Sequence, residues 1–247
     1  SNGTSIKSIL VAEDIFVEIG EELISQTAEI DFKHLGGLDQ QPADIALLQH
    51  SSGTTGLQKG VALSHQSIFN QLKNYTKALN FSESDIVASW LPLYHDMGLI
   101  AGFLMPIILG ASLVLLSPFD WVRAPYRLLQ AISKHRATFC WLPNFAYNFC
   151  ALKIRDKDLE NVDLSSVKAI TNCSEPMHWK SHRLFFERFA QYGLEPKALA
   201  TSYAMAENVF AVTQGGIQTP VQIDYIDRKI FVEKQIAHPV KDFQNQQ

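Results

Sequence analysis

The chain has 247 residues, a formal net charge of −4, and 47% hydrophobic and 19% charged residues. That length suits one large domain or two small ones, with fractions ordinary for a soluble globular protein. The weak acidic balance gives no electrostatic footprint for nucleic acid, so nucleic-acid binding is not expected.

Residues 1–44 form a lead-in segment. Short apolar runs, Ser8 to Ala12 and Ile15 to Ile19, precede an acidic helical-looking piece to Ile24, and nothing there is catalytic. Gly36-Gly37-Leu38-Asp39 and Pro42 read as a surface connection. Ile45 to Gln49 reads as a buried strand.

The next stretch organises the chain. Ser51-Ser52-Gly53-Thr54-Thr55-Gly56-Leu57-Gln58-Lys59-Gly60 holds four hydroxyls, three glycines and one lysine within ten residues. Glycines let backbone N–H groups approach an anion, hydroxyls add donors, and Lys59 adds charge. The Walker A pattern needs Gly before the Lys and Ser/Thr after it. Gln58 and Gly60 occupy those places, so that template fails. The apolar Val61-Ala62-Leu63 follows, and Ser64 is placed to cap a helix from Gln66.

The helix Gln66 to Leu79 carries Ile68, Leu72, Tyr75 and Leu79 on one face. Ser82 to Asp85 is a turn and Ile86 to Leu91 a strand. Met97 to Phe119 carries no charge, which meets the length rule for a membrane span. Gly98, Gly102, Pro106 and Gly110 divide it, so it reads as a buried helix and then a buried strand from Ala111 to Leu116; no membrane span is expected. Pro125 to His135 is a helix opened by proline. Ala137 to Leu142 is a strand, and Pro143 opens a helix to about Lys153. A strand ends near Asn172, a helix runs from Trp179 to Tyr192, and Ala198 to Thr201 is a short strand. This alternation predicts an α/β fold with a largely parallel, doubly wound sheet. Residues 45–216 form its core. In the tail, 217–247, Gln222 to Ile226 and Lys229 to Val232 alternate around Asp227-Arg228 and predict a C-terminal β-hairpin.

Three constellations sit in strand-to-helix loops, where open α/β sheets build sites. His95 in Leu91-Pro92-Leu93-Tyr94-His95-Asp96-Met97-Gly98 could act as acid or base or polarise a carbonyl; it could equally open a helix capped by Asp96. Asn172-Cys173-Ser174-Glu175-Pro176 precedes a helix and could be a simple turn. Glu207, after Tyr203-Ala204-Met205-Ala206, offers a carboxylate to a hard cation, or is a surface acid. No Gly-x-Ser-x-Gly elbow supports a hydrolase.

Taken together, these motifs resemble the adenylate-forming superfamily, and within it the fatty acyl-AMP ligases and acyl-CoA synthetases. Ser51 to Gly60 is similar to the pattern Ser/Thr-Ser-Gly-Ser/Thr-Thr-Gly-x-Pro-Lys-Gly, with Gln58 in place of proline. The resemblance implies an enzyme that uses ATP and Mg²⁺ to adenylate a fatty acid, then passes the acyl group to CoA or an acyl carrier protein. It assigns phosphate binding to Ser51, Ser52, Gly53, Thr54, Thr55, Gly56 and Lys59, and adenine binding to Ser174, Glu175, Pro176 and Tyr203. It makes Glu207 the metal carboxylate and His95 a wall of the carboxylate pocket, not a base. The catalytic set is then Lys59, His95 and Glu207. Phe103, Leu104, Trp141, Phe145 and Phe149 suggest an acyl tunnel, with plain core as the other reading. Three departures stand out: Cys173 replaces a usual Gly, Ala204 another, and Ala206 a frequent Thr.

The superfamily's ribose Asp, hinge and C-terminal Lys find no match. The chain is therefore expected to be an internal fragment, inactive alone and prone to self-association. Cys140, Cys150 and Cys173 lack metal-type spacing and point to buried thiols in a reducing compartment; no signal peptide is visible, so the expected location is cytoplasmic. A non-catalytic nucleotide-binding or scaffolding module is the reading from another class.

Overall fold

The structure is a computed structural model that describes residues 9–11, 39–51 and 59–240. The first described element is strand β1 (Ile9–Val11). The next described elements are an antiparallel two-stranded ribbon, β2 (Ile45–His50) with β3 (Gly60–Ser64). Strands β4 (Ile86–Ser89), β5 (Ser112–Leu115), β6 (Phe139–Leu142), β7 (Ala169–Asn172), β8 (Leu199–Ala204) and β9 (Ala211–Gly215) join β1 in one sheet, ordered β1-β5-β4-β6-β7-β8-β9. Every pairing is parallel except the last, where β9 returns antiparallel to β8. Strands β6 and β7 are buried along their whole length, as central parallel strands covered on both faces must be.

Helix α1 (His65–Leu79) forms where the periodicity places it. Ser64 Oγ accepts from Ser67 N–H at 3.1 Å as N-cap, and Asn80 ends the helix in the left-handed region. Its apolar face, Ile68, Leu72, Tyr75 and Leu79, is buried. Each of those aliphatic side chains contributes about 1.5–3 kcal/mol by leaving water. The uncharged stretch folds as a π-helical turn, Met97–Leu104, continuing into α2 (Met105–Ile108) and then β5. A Cβ on Gly98 would overlap the Pro92 carbonyl oxygen, and one on Gly102 would lie 2.7 Å from Ser89 Oγ. Glycine thus lets this turn press on the end of β4. Helices α3 (Pro118–Arg123), α4 (Tyr126–His135), α5 (Asn144–Lys153) and α6 (Trp179–Phe189) cover the sheet. Among the described residues, no helix is long and apolar enough to cross a membrane. Cys140, Cys150 and Cys173 are free and buried; burial pushes the Cys140 thiol up to about 12.

Two expectations change. Strand β2 is not buried: Ile45 is 62% and Leu48 73% exposed, because β2 pairs with β3 in a separate ribbon and not with the sheet. The tail does not form a continuous hairpin. Lys229 to Val232 lies in α7 (Arg228–Lys234), capped by Asp227, whose Oδ1 accepts from Ile230 N–H at 2.9 Å. Only the flanking arms pair, through an antiparallel bridge Ile226–Pro239 and a Val240 N–H bond to Tyr225 O. The cap outcompeted the two-residue alternation.

Candidate active site at the carboxyl ends of the strands

Parallel strands put all their carboxyl ends on one side, so the segments after β4, β6, β7 and β8 meet there. The ribbon joins them, since β3 packs against the turn Ala206–Asn208 that bears Glu207. Ser52 to Gln58, with the glycines Gly53 and Gly56 and the hydroxyls Ser52, Thr54 and Thr55, lie outside the described residues. Their anchors are described. Ser51 N–H donates to Lys59 O at 3.0 Å, and Lys59 N–H donates to Ser51 Oγ at 3.1 Å. His50 pairs with Gly60, so the ends of the loop are closed and Lys59 is exposed beside them.

After β4, Asp96 caps the π-helical turn, accepting from Met97 N–H at 2.7 Å. His95 Nδ1 lies 2.7 Å from Asp96 Oδ1, and that bond raises the His95 pKa although partial burial works against it. The helix-start reading of this motif holds, and it leaves the imidazole half exposed at the strand end. After β7, Cys173 is fully buried, and the left-handed residue is its neighbour Ser174, at φ +73°. The missing Gly therefore costs no backbone conformation at position 173. Ser174 Oγ lies 3.6 Å from Met97 Sδ, which joins this loop to the His95 turn.

The loop after β7 is also stapled to the start of α5. Asn144 Oδ1 accepts from Asn172 Nδ2 at 3.1 Å and from His178 N–H at 3.0 Å, so one side chain holds both ends of the loop. Glu175 Oε1 accepts from Phe145 N–H between them. Buried His182 stacks on Tyr147 and lies 2.9 Å from Asn172 Nδ2; burial lowers its pKa to about 4. Asn144 and His182 escaped the sequence reading; Asn144, directly after Pro143, looks like any helix start.

Tyr203 is 58% exposed at the end of β8. Glu207 is exposed and makes no hydrogen bond or ion pair with the described residues. Among them no group of three His, Cys, Asp or Glu could hold a metal alone. A lone free carboxylate suits Mg²⁺, which takes one or two protein carboxylates with substrate phosphates and water.

The expected acyl residues divide. Leu104 lines an apolar cavity of about 260 Å³ with Ala46, Leu47, Ile68, Phe69 and Leu99. Phe145 is half exposed and stands edge-on to Trp90 and Trp121, themselves stacked at 3.6 Å. Trp141 is fully buried, and its indole N–H donates to Tyr75 Oη at 2.8 Å. It belongs to the core beneath the site, not to a wall of it.

Residues 5–234 match the family of AMP-binding enzymes. A long-chain-fatty-acid–AMP ligase of Mycobacterium marinum is 37% identical over 76% of this chain and 34% of its own. A medium-chain-fatty-acid–[acyl-carrier-protein] ligase of Teredinibacter turnerae is 33% identical over 76% of this chain and 29% of its own. The chain thus spans about a third of the length of these relatives. The crystal structure of a fatty acid AMP ligase from Legionella pneumophila superposes with a TM-score of 0.78 at 33% identity, covering 83% of this chain and 36% of that one. A fatty acyl-adenylate ligase of L. pneumophila, solved with acyl adenylate and pyrophosphate, gives 0.75 at 32% identity, covering 82% and 36%. With its parallel sheet and its strand-end loops in this order, the chain belongs to the AMP-binding enzyme family.

Proposed function

We propose that this chain carries the nucleotide- and acyl-binding core of an ATP-dependent fatty acid ligase. The reaction joins a carboxylate oxygen of the acid to the α-phosphorus of ATP while the bond to the bridging oxygen breaks, giving acyl-AMP and pyrophosphate. The acyl group then passes to a thiol acceptor, either CoA or an acyl carrier protein, forming a thioester and releasing AMP. One observation carries this reading: β3, which leads away from Lys59, lies against the turn that bears the Glu207 carboxylate.

The residues have these roles. Ser51 to Gly60 and Lys59 neutralise phosphate charge as pyrophosphate leaves. Tyr203 stacks on adenine, against Ser174, Glu175 and Pro176. Glu207 holds Mg²⁺, which when bound offsets charge on the phosphates. His95 and Phe145 wall the acid, with Trp141 supporting them from the core. No base is needed, because a carboxylic acid is already ionised at neutral pH.

Pyrophosphate release by the full-length protein, with ATP, Mg²⁺ and a panel of fatty acids, tests the proposal. Acid-dependent release supports it. Nucleotide binding with no acid-dependent release sinks it in favour of a non-catalytic module.

A further inference from the structure

The segment after Glu207 is strained. Val209 sits at φ +68°, ψ −49°, and Phe210 N–H donates to Asn208 O at 2.7 Å. That geometry is a γ-turn of the rare, strained kind, here centred on a β-branched residue, for which positive φ is an outlier. Strain of this sort persists only where the surroundings over-determine it. Here they do. Val209 and Phe210 are buried, Phe210 meets Tyr75 of α1 edge-on, and Met205 N–H donates to Phe210 O at 2.9 Å.

Two side chains complete the clamp. Asn208 Nδ2 donates to Ala211 O at 2.6 Å and to Gln71 Oε1 at 3.2 Å. Gln71 Nε2 donates to the same Ala211 O at 3.0 Å. Gln71 lies on α1, which continues directly from β3 and so from Lys59. A single rigid path therefore runs from the phosphate-side lysine through β3, α1 and Gln71 to Asn208, the neighbour of Glu207. Glu207 itself has no side-chain partner among the described residues, so its backbone alone aims it.

We propose that Gln71, Asn208 and the Val209 γ-turn form a positioning latch that fixes the Glu207 carboxylate relative to β3 and the Lys59 that precedes it. This rests on the reading of Glu207 as the metal carboxylate. Neither Gln71 nor Asn208 touches substrate; both act through Glu207.

The test separates the latch from that reading. ATP affinity of the full-length protein is measured calorimetrically with and without Mg²⁺, alongside melting temperature, for wild type, Asn208→Ala, Gln71→Ala, Val209→Gly and Glu207→Gln. The gain in ATP affinity due to Mg²⁺ is a coupling between two ligands, and such couplings commonly reach 5–150-fold, so a loss of about fivefold or more is readable. Expected is that Glu207→Gln and Asn208→Ala both lose most of this gain and Gln71→Ala part of it, with the Mg²⁺-free affinities of Asn208→Ala and Gln71→Ala unchanged. Val209→Gly relieves the strain but removes a buried side chain, two effects of opposite sign on the melting temperature, so its expected readout is the loss of part of the gain. A full Mg²⁺ gain in Asn208→Ala and Val209→Gly, beside a lost one in Glu207→Gln, overturns the latch and leaves Glu207 in its role. A full gain in Glu207→Gln overturns both. A lower melting temperature with Mg²⁺-free and Mg²⁺-bound affinities falling together assigns Asn208 to the fold alone and also overturns the latch.

Discussion

The two ends of the parallel strands use acidic residues to opposite effect. At the amino end, Asp85 is almost fully buried and its bonds are complete. Lys168 Nζ lies 2.6 Å from Oδ1, Thr138 Oγ1 donates to the same oxygen, and Ser82 donates through N–H and Oγ to the other. Burial works against ionisation there, yet the Lys168, Ser82 and Thr138 bonds outweigh it and hold the carboxyl below its usual range. At the carboxyl end, Glu207 is exposed with no partner among the described residues. A carboxylate whose bonds are satisfied within the fold stabilises it and offers nothing to a ligand. One held out by a strained backbone contributes little to stability and is free to bind.

Breaking the amino end should have the largest effect on folding. Asp85→Ala leaves Thr138, Ser82 and Lys168 without their acceptor. Lys168 is 39% exposed and can turn to water, so the cost is about 2–3 kcal/mol, not the full penalty of a buried pair. Denaturant unfolding should show that loss with no change in ATP affinity. Equal losses in both would erase the contrast between the two ends.

The staple beneath the loop after β7 gives the next effect, and its sign follows from His182. The folded pKa of about 4 lies below the ordinary histidine value near 6.5. The unfolded chain therefore binds the extra proton first. Stability is complete above about pH 6.5 and falls as pH drops towards 4, by up to about 3 kcal/mol. Unfolding followed across that window should show the slope. His182→Leu should flatten it while lowering stability overall, because Asn172 loses a partner. A slope that survives in the variant assigns the effect to other groups.

Lys59→Ala probes the carboxyl end alone. A charge-assisted bond contributes about 1.5–3 kcal/mol, so ATP should bind about tenfold more weakly or worse. The melting temperature should stay put, since the lysine is exposed. Unchanged affinity by calorimetry removes Lys59 from the phosphate site.

How far such contrasts could be read beforehand depended on whether the deciding interaction was local. The α1 face, the parallel sheet and the strand-end motifs follow from periodicity and turn chemistry, which are local. So does the cap at Ser64. The tail misled because Ile230 and Val232 alternate while Asp227, two residues before the run, supplies a cap that alternation does not register. Strand β2 misled because an apolar run does not say which sheet it joins. Asn144, Asn208 and Gln71 were silent because their partners lie far along the chain, 137 residues away for the Gln71–Asn208 bond. The positive φ of Val209 has no sequence signal at all, since valine is among the residues least suited to it.

The smallest predicted effect belongs to His95, and it decides what the carboxyl end does. Its Nδ1 is committed to Asp96, and that bond raises its pKa, so the ring gains positive character near neutrality. A raised pKa suits a group that attracts and orients an anion, because it favours the charged form of the ring. The acid needs no deprotonation before it attacks phosphorus. His95→Ala should therefore raise the KM for fatty acid and slow adenylation by about tenfold, close to 1.4 kcal/mol. The pH profile of the variant should keep both limbs, since neither belongs to His95. Asp96→Asn should give a similar but weaker effect, by lowering the imidazole pKa without removing the ring. Loss of the limb near the histidine pKa in His95→Ala would instead make His95 the proton acceptor, and the carboxyl end of the sheet would then perform acid–base chemistry as well as binding.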